Sequence, residues 1–239
     1  MNTVNHQEVL RWDKNVRAYS QKNDLLLKTP EQRRKWSELL KYLLRIRNGS
    51  EVLDVGTGPG FLALQIASLG YQTTGVDLSR EMLHIAVEKA KSMNLNCSFI
   101  QASAEKLPFL NASFDAVVSR HLIGALLCPE SVYQEWGRLL KPGGRVVIID
   151  GDRRARNEDP FTSKVFGLSR KRFYGAFERE KMRAGEQKSK DLEKRISLDL
   201  ENAGFNDIET HSISDVFRVE YHRYPKEHYQ RILITARKP

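Results

Sequence analysis

The chain has 239 residues, 40% of them apolar, with a mean hydropathy of -0.52 and a formal net charge of +9 from 39 Lys and Arg against 30 Asp and Glu. That length suits one large domain or a core domain with a smaller cap, and no run approaches the roughly 18 apolar residues of a membrane span. Cys97 and Cys128 are the only cysteines, which excludes a disulfide framework and a cysteine-rich zinc module.

Residues 1–28 read as a polar helical arm. Its first stretch, MNTVNHQEVLRWDK, has neither the apolar core nor the small-residue cleavage site of a secretory signal. With two thiols and no such signal, the expected location is the cytoplasm. Thr29-Pro30-Glu31-Gln32 then opens a second helix with a capping-box pattern and a proline in its first turn. Trp36, Leu39, Leu40, Leu43 and Leu44 fall at helical spacing, with Asn48-Gly49 closing the element. The basic excess lies in this helix and in residues 153–195, where Lys and Arg alternate with Glu and Asp. Without interleaved aromatics or an RNA-binding module, these charges read as solvated helix faces, and nucleic acid is not an expected partner.

From residue 51 the pattern alternates: strand 51–55, helix 59–69 ended by Gly70, strand 71–76, helix 79–92 begun by Ser79, and strand 97–101. It continues with strand 114–119, helix 130–140, a Pro142-Gly143-Gly144 turn and strand 145–149. Such alternation implies a parallel sheet with right-handed crossovers. After Asp150 it stops. Residues 151–188 are charged, carry Phe161, Phe166, Phe173, Tyr174 and Phe177, and lack strand alternation, so they read as a helical insertion. An insertion after the fifth strand emerges beside the ligand crevice of a wound sheet, as a substrate lid. A helix over 189–203, ended by Gly204, and strands near 206–213 and 230–237 complete the chain. The expected divisions are 1–49 (arm), 50–150 (binding core), 151–188 (lid) and 189–239 (remainder of the core sheet).

The segment VLDVGTGPG, residues 52–60, is the densest in chemistry. Val52, Leu53 and Val55 are a buried-strand run, and Gly56, Gly58 and Gly60 let the backbone turn tightly and approach a ligand. Asp77 follows the next apolar strand, where wound sheets place the carboxylate that takes two ribose hydroxyls. The loop is GxGxG with Pro59 inside it, unlike the GxGxxG that seats a pyrophosphate. Asp54, just before the turn, would repel a diphosphate and welcome an ammonium group. A ligand with a ribose and an amino acid but no phosphate fits best.

Together with ASAEKLPF (102–109), SFDAVVSRHLIGAL (113–126) and LLKPGGRVVIID (139–150), this loop resembles the class I S-adenosylmethionine-dependent methyltransferases, over residues 50–150 and more weakly to 210. The resemblance implies a Rossmann-like, doubly wound α/β sheet of seven strands, mostly parallel with the last antiparallel. It implies S-adenosylmethionine as cofactor and S-adenosylhomocysteine as product. Asp54, Gly56, Thr57 and Gly58 would hold the methionine portion, its carboxylate facing backbone N–H groups at the helix start, with Gly60 also a cofactor-binding residue; the glycines could instead only make a tight strand-helix turn. Asp77 would anchor the ribose, or serve as a turn residue before the Ser79 N-cap. Leu78 and Met82 would pack on the adenine, although Met82 suits a core position equally. Ser103 stands where many members have an aspartate. With Ala104 and Glu105 it would meet the adenine edge, while Pro108 and Phe109 shape the loop.

Arg120 would contact the methionine portion or an acidic substrate, or pair with a local carboxylate. His121 would take a proton from the acceptor, or be a hydrogen-bonded structural residue. Trp12 and Tyr19 resemble an aromatic arm that folds over the cofactor, with Tyr19 a second catalytic candidate; they could equally staple a helix to the sheet. Asp150 and Asp152 suggest a divalent metal, but the remainder of such a site has no counterpart, and no metal is expected. The expected function is methyl transfer to nitrogen, oxygen or carbon of a small molecule by in-line displacement. The competing readings are an RNA or protein methyltransferase, a cofactor-binding protein without catalysis, and a nicotinamide dehydrogenase. The acceptor and the choice between monomer and homodimer stay open.

Overall fold

A computed structural model describes residues 6–126, 128–151, 190–211 and 231–239. Apart from Gly151, the lid expected over 151–188 lies outside the described residues. The elements are α1 (His6–Leu25), α2 (Pro30–Leu44), β1 (Glu51–Val55), α3 (Phe61–Ser68), β2 (Gln72–Asp77), α4 (Arg80–Ser92) and β3 (Cys97–Gln101). They continue with β4 (Phe114–Arg120), a 3-10 turn (Ile123–Ala125), α5 (Pro129–Leu139), β5 (Leu140–Gly151), β6 (Asn206–His211) and β7 (Arg231–Arg237). Helical backbone also runs over 190–202.

One seven-stranded sheet has the order β3-β2-β1-β4-β5-β7-β6. Strands β1 to β5 pair in parallel, and β7 is antiparallel to both β5 and β6. The chain winds outward from β1 in both directions, so β1 and β4 flank the topological switch point, where a crevice opens beyond the strands' carboxyl ends. The register pairs Val55 with both Val76 and Ser119. Gly56, Asp77 and Arg120 therefore emerge along one edge.

Side chains alternate between two apolar layers, as strands covered on both faces require. Leu53, Val55, Val117, Val146 and Ile148 pack with Tyr133 and Trp136 of α5 and with Ile196 and Leu200 of the 190–202 helix. Val52, Ala116, Val118, Val147 and Ile149 pack with Trp36, Leu39, Leu40, Leu43 and Leu44 of α2 and Phe61, Leu62 and Ile66 of α3. The α2 N-terminus carries the full capping box: Gln32 N donates to Thr29 Oγ1 (3.2 Å) and Thr29 N donates to Gln32 Oε1 (2.9 Å). Among the described residues no helix is long and apolar enough to cross a membrane.

Three boundaries differ from the sequence pattern. The α2 helix closes at Arg45, in the left-handed region (φ 46°). Asn48-Gly49 instead forms the turn into β1, with Gly49 N donating to Gly70 O (3.1 Å). The α3 helix begins at Phe61 because Gly60 (φ 83°) still belongs to the turn. Pro142-Gly143-Gly144 does not interrupt β5: the register jumps from Phe114–Leu140 to Ala116–Arg145, and Gly143 N donates to Lys238 O while Lys238 N donates to Gly144 O. Pairing with the chain beyond β7 keeps this excursion in the ladder as a bulge.

Candidate functional site

The loop after β1 holds Gly56, Gly58 and Gly60 at φ 71°, 54° and 83°, a region costly for any residue with a β-carbon. Gly56 has a second reason: a β-carbon there would lie 3.0 Å from Leu122 Cδ1. This geometry folds the loop onto the end of β2. The N–H groups of Gly56 and Thr57 both donate to Val76 O at 2.9 Å, and Gly58 N donates to Asp77 Oδ2 at 2.8 Å.

Asp77 Oδ1 accepts from Ser79 N at 2.9 Å. Each carboxylate oxygen thus takes one N–H and keeps capacity for a hydroxyl donor. Burial pushes the Asp77 carboxyl up, against the pull of the Ser79, Gly58 and Leu78 N–H groups, and Asp13 adds to the rise. Leu78 is half-buried and Met82 buried beside it. Gln101 Nε2 donates to Leu78 O (2.9 Å), and Ala102 N donates to Asp77 O (3.1 Å). Ser103 turns the chain back, with Lys106 N donating to its carbonyl (3.2 Å) and Glu105 N to its Oγ (3.4 Å). Phe109 packs edge-on against Phe114 at 5.0 Å and against the core.

Asp54 is 1% exposed. Its Oδ2 accepts from Thr57 Oγ1 (2.7 Å) and Ala63 N (3.0 Å), whereas the buried Oδ1 has no hydrogen-bond partner. Burial pushes its pKa up to about 7; the Thr57 and Ala63 bonds and the Arg120 charge oppose the rise, and the Asp77 charge adds to it. A small cavity beside it is lined by Tyr19 and Asn23 of α1, Asp54, Gly56 and Thr57, Phe61 and Leu62 of α3, and Arg120 of β4. Arg120 is 9% exposed. Its two Nη atoms donate to Asn23 Oδ1 (3.2 and 3.1 Å), and its guanidinium lies 4.1 Å from the Phe61 ring centroid.

Asn23 has no counterpart in the motifs. The signal that would have found α1's inward face is its buried spacing at Val16, Ser20 and Asn23, one helical stripe. Ser79 Oγ donates to Asp13 Oδ1, and Lys89 pairs with Asp24, tying α1 to α4. Trp12 and Tyr19 stack edge-on at 5.5 Å.

His121 follows β4 in the left-handed region (φ 58°) and donates its N–H to Ile149 O (3.0 Å). Its side chain is 14% exposed, with Nδ1 3.7 Å from Asp150 Oδ1. Asp150 is fully buried, and its Oδ2 accepts from Ile123 N (2.9 Å). Asp152 lies outside the described residues. Among the described residues no three His, Cys, Asp or Glu side chains cluster as metal ligands.

The arrangement fits an adenosine joined to an amino acid. The Asp77 carboxylate is bonded to the middle of the glycine loop through Gly58 N, and a buried carboxylate oxygen of Asp54 that lacks a donor lies at the loop's start. A diphosphate would lie between these two carboxylates. The N–H groups of Gly56, Thr57, Gly58 and Ala63 are donated within the protein, because the loop folds back to cap β2 and the Asp54 carboxylate.

Residues 53–148 match the family model described as a methyltransferase domain. The chain is 34% identical over 119 residues to a ubiquinone/menaquinone biosynthesis C-methyltransferase of Syntrophotalea carbinolica, covering 49% of this chain and 50% of the relative. It is 37% identical over 124 residues to a phosphatidylethanolamine N-methyltransferase of Cereibacter sphaeroides, covering 51% and 60%. The chain thus spans half to three-fifths of the length of these relatives. Its fold is like that of a SAM-dependent methyltransferase of Aquifex aeolicus, at a TM-score of 0.60 and 20% identity over 89% of this chain and 95% of that one. Residues 53–148 are thus similar to methyltransferase domains, and the strand order is that of a fold which S-adenosylmethionine-dependent methyltransferases share.

Proposed function

We propose that this chain transfers the methyl group of S-adenosylmethionine to nitrogen, oxygen or carbon of a small-molecule acceptor by in-line displacement. The cofactor supplies a methyl on a sulfonium whose leaving group is a neutral thioether, so the protein's work is alignment, exclusion of water and, for a protonated nucleophile, a base. The observation that carries this reading is the pairing of the Asp77 carboxylate, held by the Gly58 and Ser79 N–H groups, with the unpartnered, buried Asp54 Oδ1 across one glycine loop.

On this reading Asp54 receives the cofactor's ammonium group, and Gly56, Thr57, Gly58 and Gly60 shape the floor. Asp77 accepts the ribose hydroxyls. Leu78 and Met82 flank the adenine, Ser103, Ala104 and Glu105 meet its edge, and Arg120 faces the amino-acid end. His121, beside Asp150 at the crevice rim, takes a proton from the acceptor, and Tyr19 closes the site from the arm. Residues 1–49 act as cap, 50–150 as binding core, 151–188 as acceptor lid and 189–239 as the remainder of the sheet. The two relatives are named for a carbon and a nitrogen methylation, which supports a small-molecule acceptor without choosing its atom. Both cysteines are free thiols, in keeping with a reducing cytoplasm.

The test is calorimetry with S-adenosylhomocysteine on the purified chain and on Asp77→Ala. We expect binding to the native chain and a loss of about tenfold or more in the variant, the scale of a charge-assisted hydrogen bond. Equal affinity removes the ribose anchor. Labelled methyl transfer into the small-molecule fraction of a cell extract, against its RNA and protein fractions, separates the acceptor classes; no transfer to any fraction leaves a binding protein.

A further inference from the structure

We propose that Asn23 of α1, held by Arg120, donates a hydrogen bond to the carboxylate at the amino-acid end of the cofactor, which makes the arm a binding element of the site and not only its cover. This rests on the cofactor reading above and adds a residue that no motif marks.

The orientation of the Asn23 amide follows from chemistry. A guanidinium has only donors, and both Nη atoms of Arg120 face this side chain at 3.2 and 3.1 Å, so Asn23 must turn Oδ1 toward them. Nδ2 is then left over. Asn23 is 3% exposed and its buried Nδ2 has no hydrogen-bond partner. A buried donor without an acceptor is destabilising, and such a group at a cavity wall calls for an occupant that accepts.

The same cavity carries the opposite demand. Asp54 Oδ1 is buried there and lacks a donor. An α-amino acid supplies both groups: ammonium toward Asp54, carboxylate toward Asn23 Nδ2 with Arg120 as counter-charge. A phosphate or dicarboxylate would suit Asn23 and Arg120 but oppose Asp54. Of the backbone N–H groups, a usual partner for an anion at this place in a wound sheet, those of Gly56, Thr57, Gly58 and Ala63 are already donated to Val76 O, Asp77 and Asp54. Asn23 sits on the helix that Asp13 and Asp24 fasten to α4, so the seated arm presents its amide to the cavity.

Calorimetry with two probes tests this: S-adenosylhomocysteine, and its decarboxylated analogue, which keeps the adenosine, sulfur and amino group. For Asn23→Ala we expect S-adenosylhomocysteine affinity to fall about tenfold while that of the analogue stays within about twofold. Asn23→Asp keeps an oxygen for Arg120, loses the N–H donor and adds a negative charge, so it should weaken S-adenosylhomocysteine at least as much. Native-like binding of S-adenosylhomocysteine by Asn23→Asp, or an equal loss of both probes in Asn23→Ala, reduces Asn23 to a structural partner of Arg120 and overturns the contact. Failure of the native chain to bind either probe overturns the cofactor reading itself, and this contact with it.

Discussion

Asp54 joins stability to binding through one proton. Burial lifts its pKa to about 7, whereas an unfolded aspartate titrates near about 4. The folded chain thus holds a proton that the unfolded chain has released, and the resulting stability is full below the unfolded value and lost as pH rises through about 7. Thermal melts of the ligand-free chain at about pH 5 and about pH 8 should therefore show a larger drop for the native protein than for Asp54→Asn, which cannot titrate; parallel drops would place the pH dependence elsewhere. Binding should work in the other direction. An ammonium beside Oδ1 stabilises the carboxylate, so S-adenosylhomocysteine binding near neutral pH releases a proton. Calorimetry in two buffers of different ionisation enthalpy should report that proton, and Asp54→Asn should lose it. Asp54 and Asp77 were legible as residues because each sits where a strand ends and a turn begins. Asn23 was not, since its partner Arg120 is 97 residues away in sequence.

At the scale of elements, local chemistry predicts ends better than excursions. Thr29-Pro30-Glu31-Gln32 announces α2, and both reciprocal cap bonds form. Thr29→Ala should cost about 1 kcal/mol in urea unfolding. Strand β2 carries a demand that its letters conceal: a β-carbon on Gly75 would come within 2.8 Å of both Phe99 Cδ1 and Thr57 Oγ1. Gly75→Ala must push the β3 ring or the glycine loop, so we expect a loss of about 1–3 kcal/mol in unfolding together with weaker S-adenosylhomocysteine binding. A loss of stability with binding intact would mean that Phe99 alone gives way. The β5 bulge and the early close of α2 at Arg45 escaped the sequence pattern. The bulge depends on Lys238, brought by the rest of the fold, and the Asn48-Gly49 turn on Gly70; the close of α2 is a left-handed cap at a non-glycine residue, Arg45, whose N–H donates to Lys41 O.

Across the whole molecule, winding outward from β1 brings the ends of β1, β2 and β4 to one edge, and α1 closes over it through Ser79–Asp13 and Lys89–Asp24. Cofactor binding should therefore tighten a segment distant in sequence from the glycine loop. Hydrogen exchange with and without S-adenosylhomocysteine should show protection of residues 12–24 as well as 54–63, and an unprotected arm would mean that α1 does not seat on the ligand. The amino-acid sequence by itself determined the α/β alternation, the glycine turn flanked by two carboxylates and the resemblance to methyltransferase domains, because strand ends, caps and left-handed turns are set by interactions within a few residues. Only the tertiary structure decided that the loop's N–H groups are used inside the protein, that Asn23 and Arg120 face Asp54 across one cavity, and that Gly75 has no room for a side chain. Those contacts join residues from separate elements, and no local pattern encodes the sheet order that brings them together.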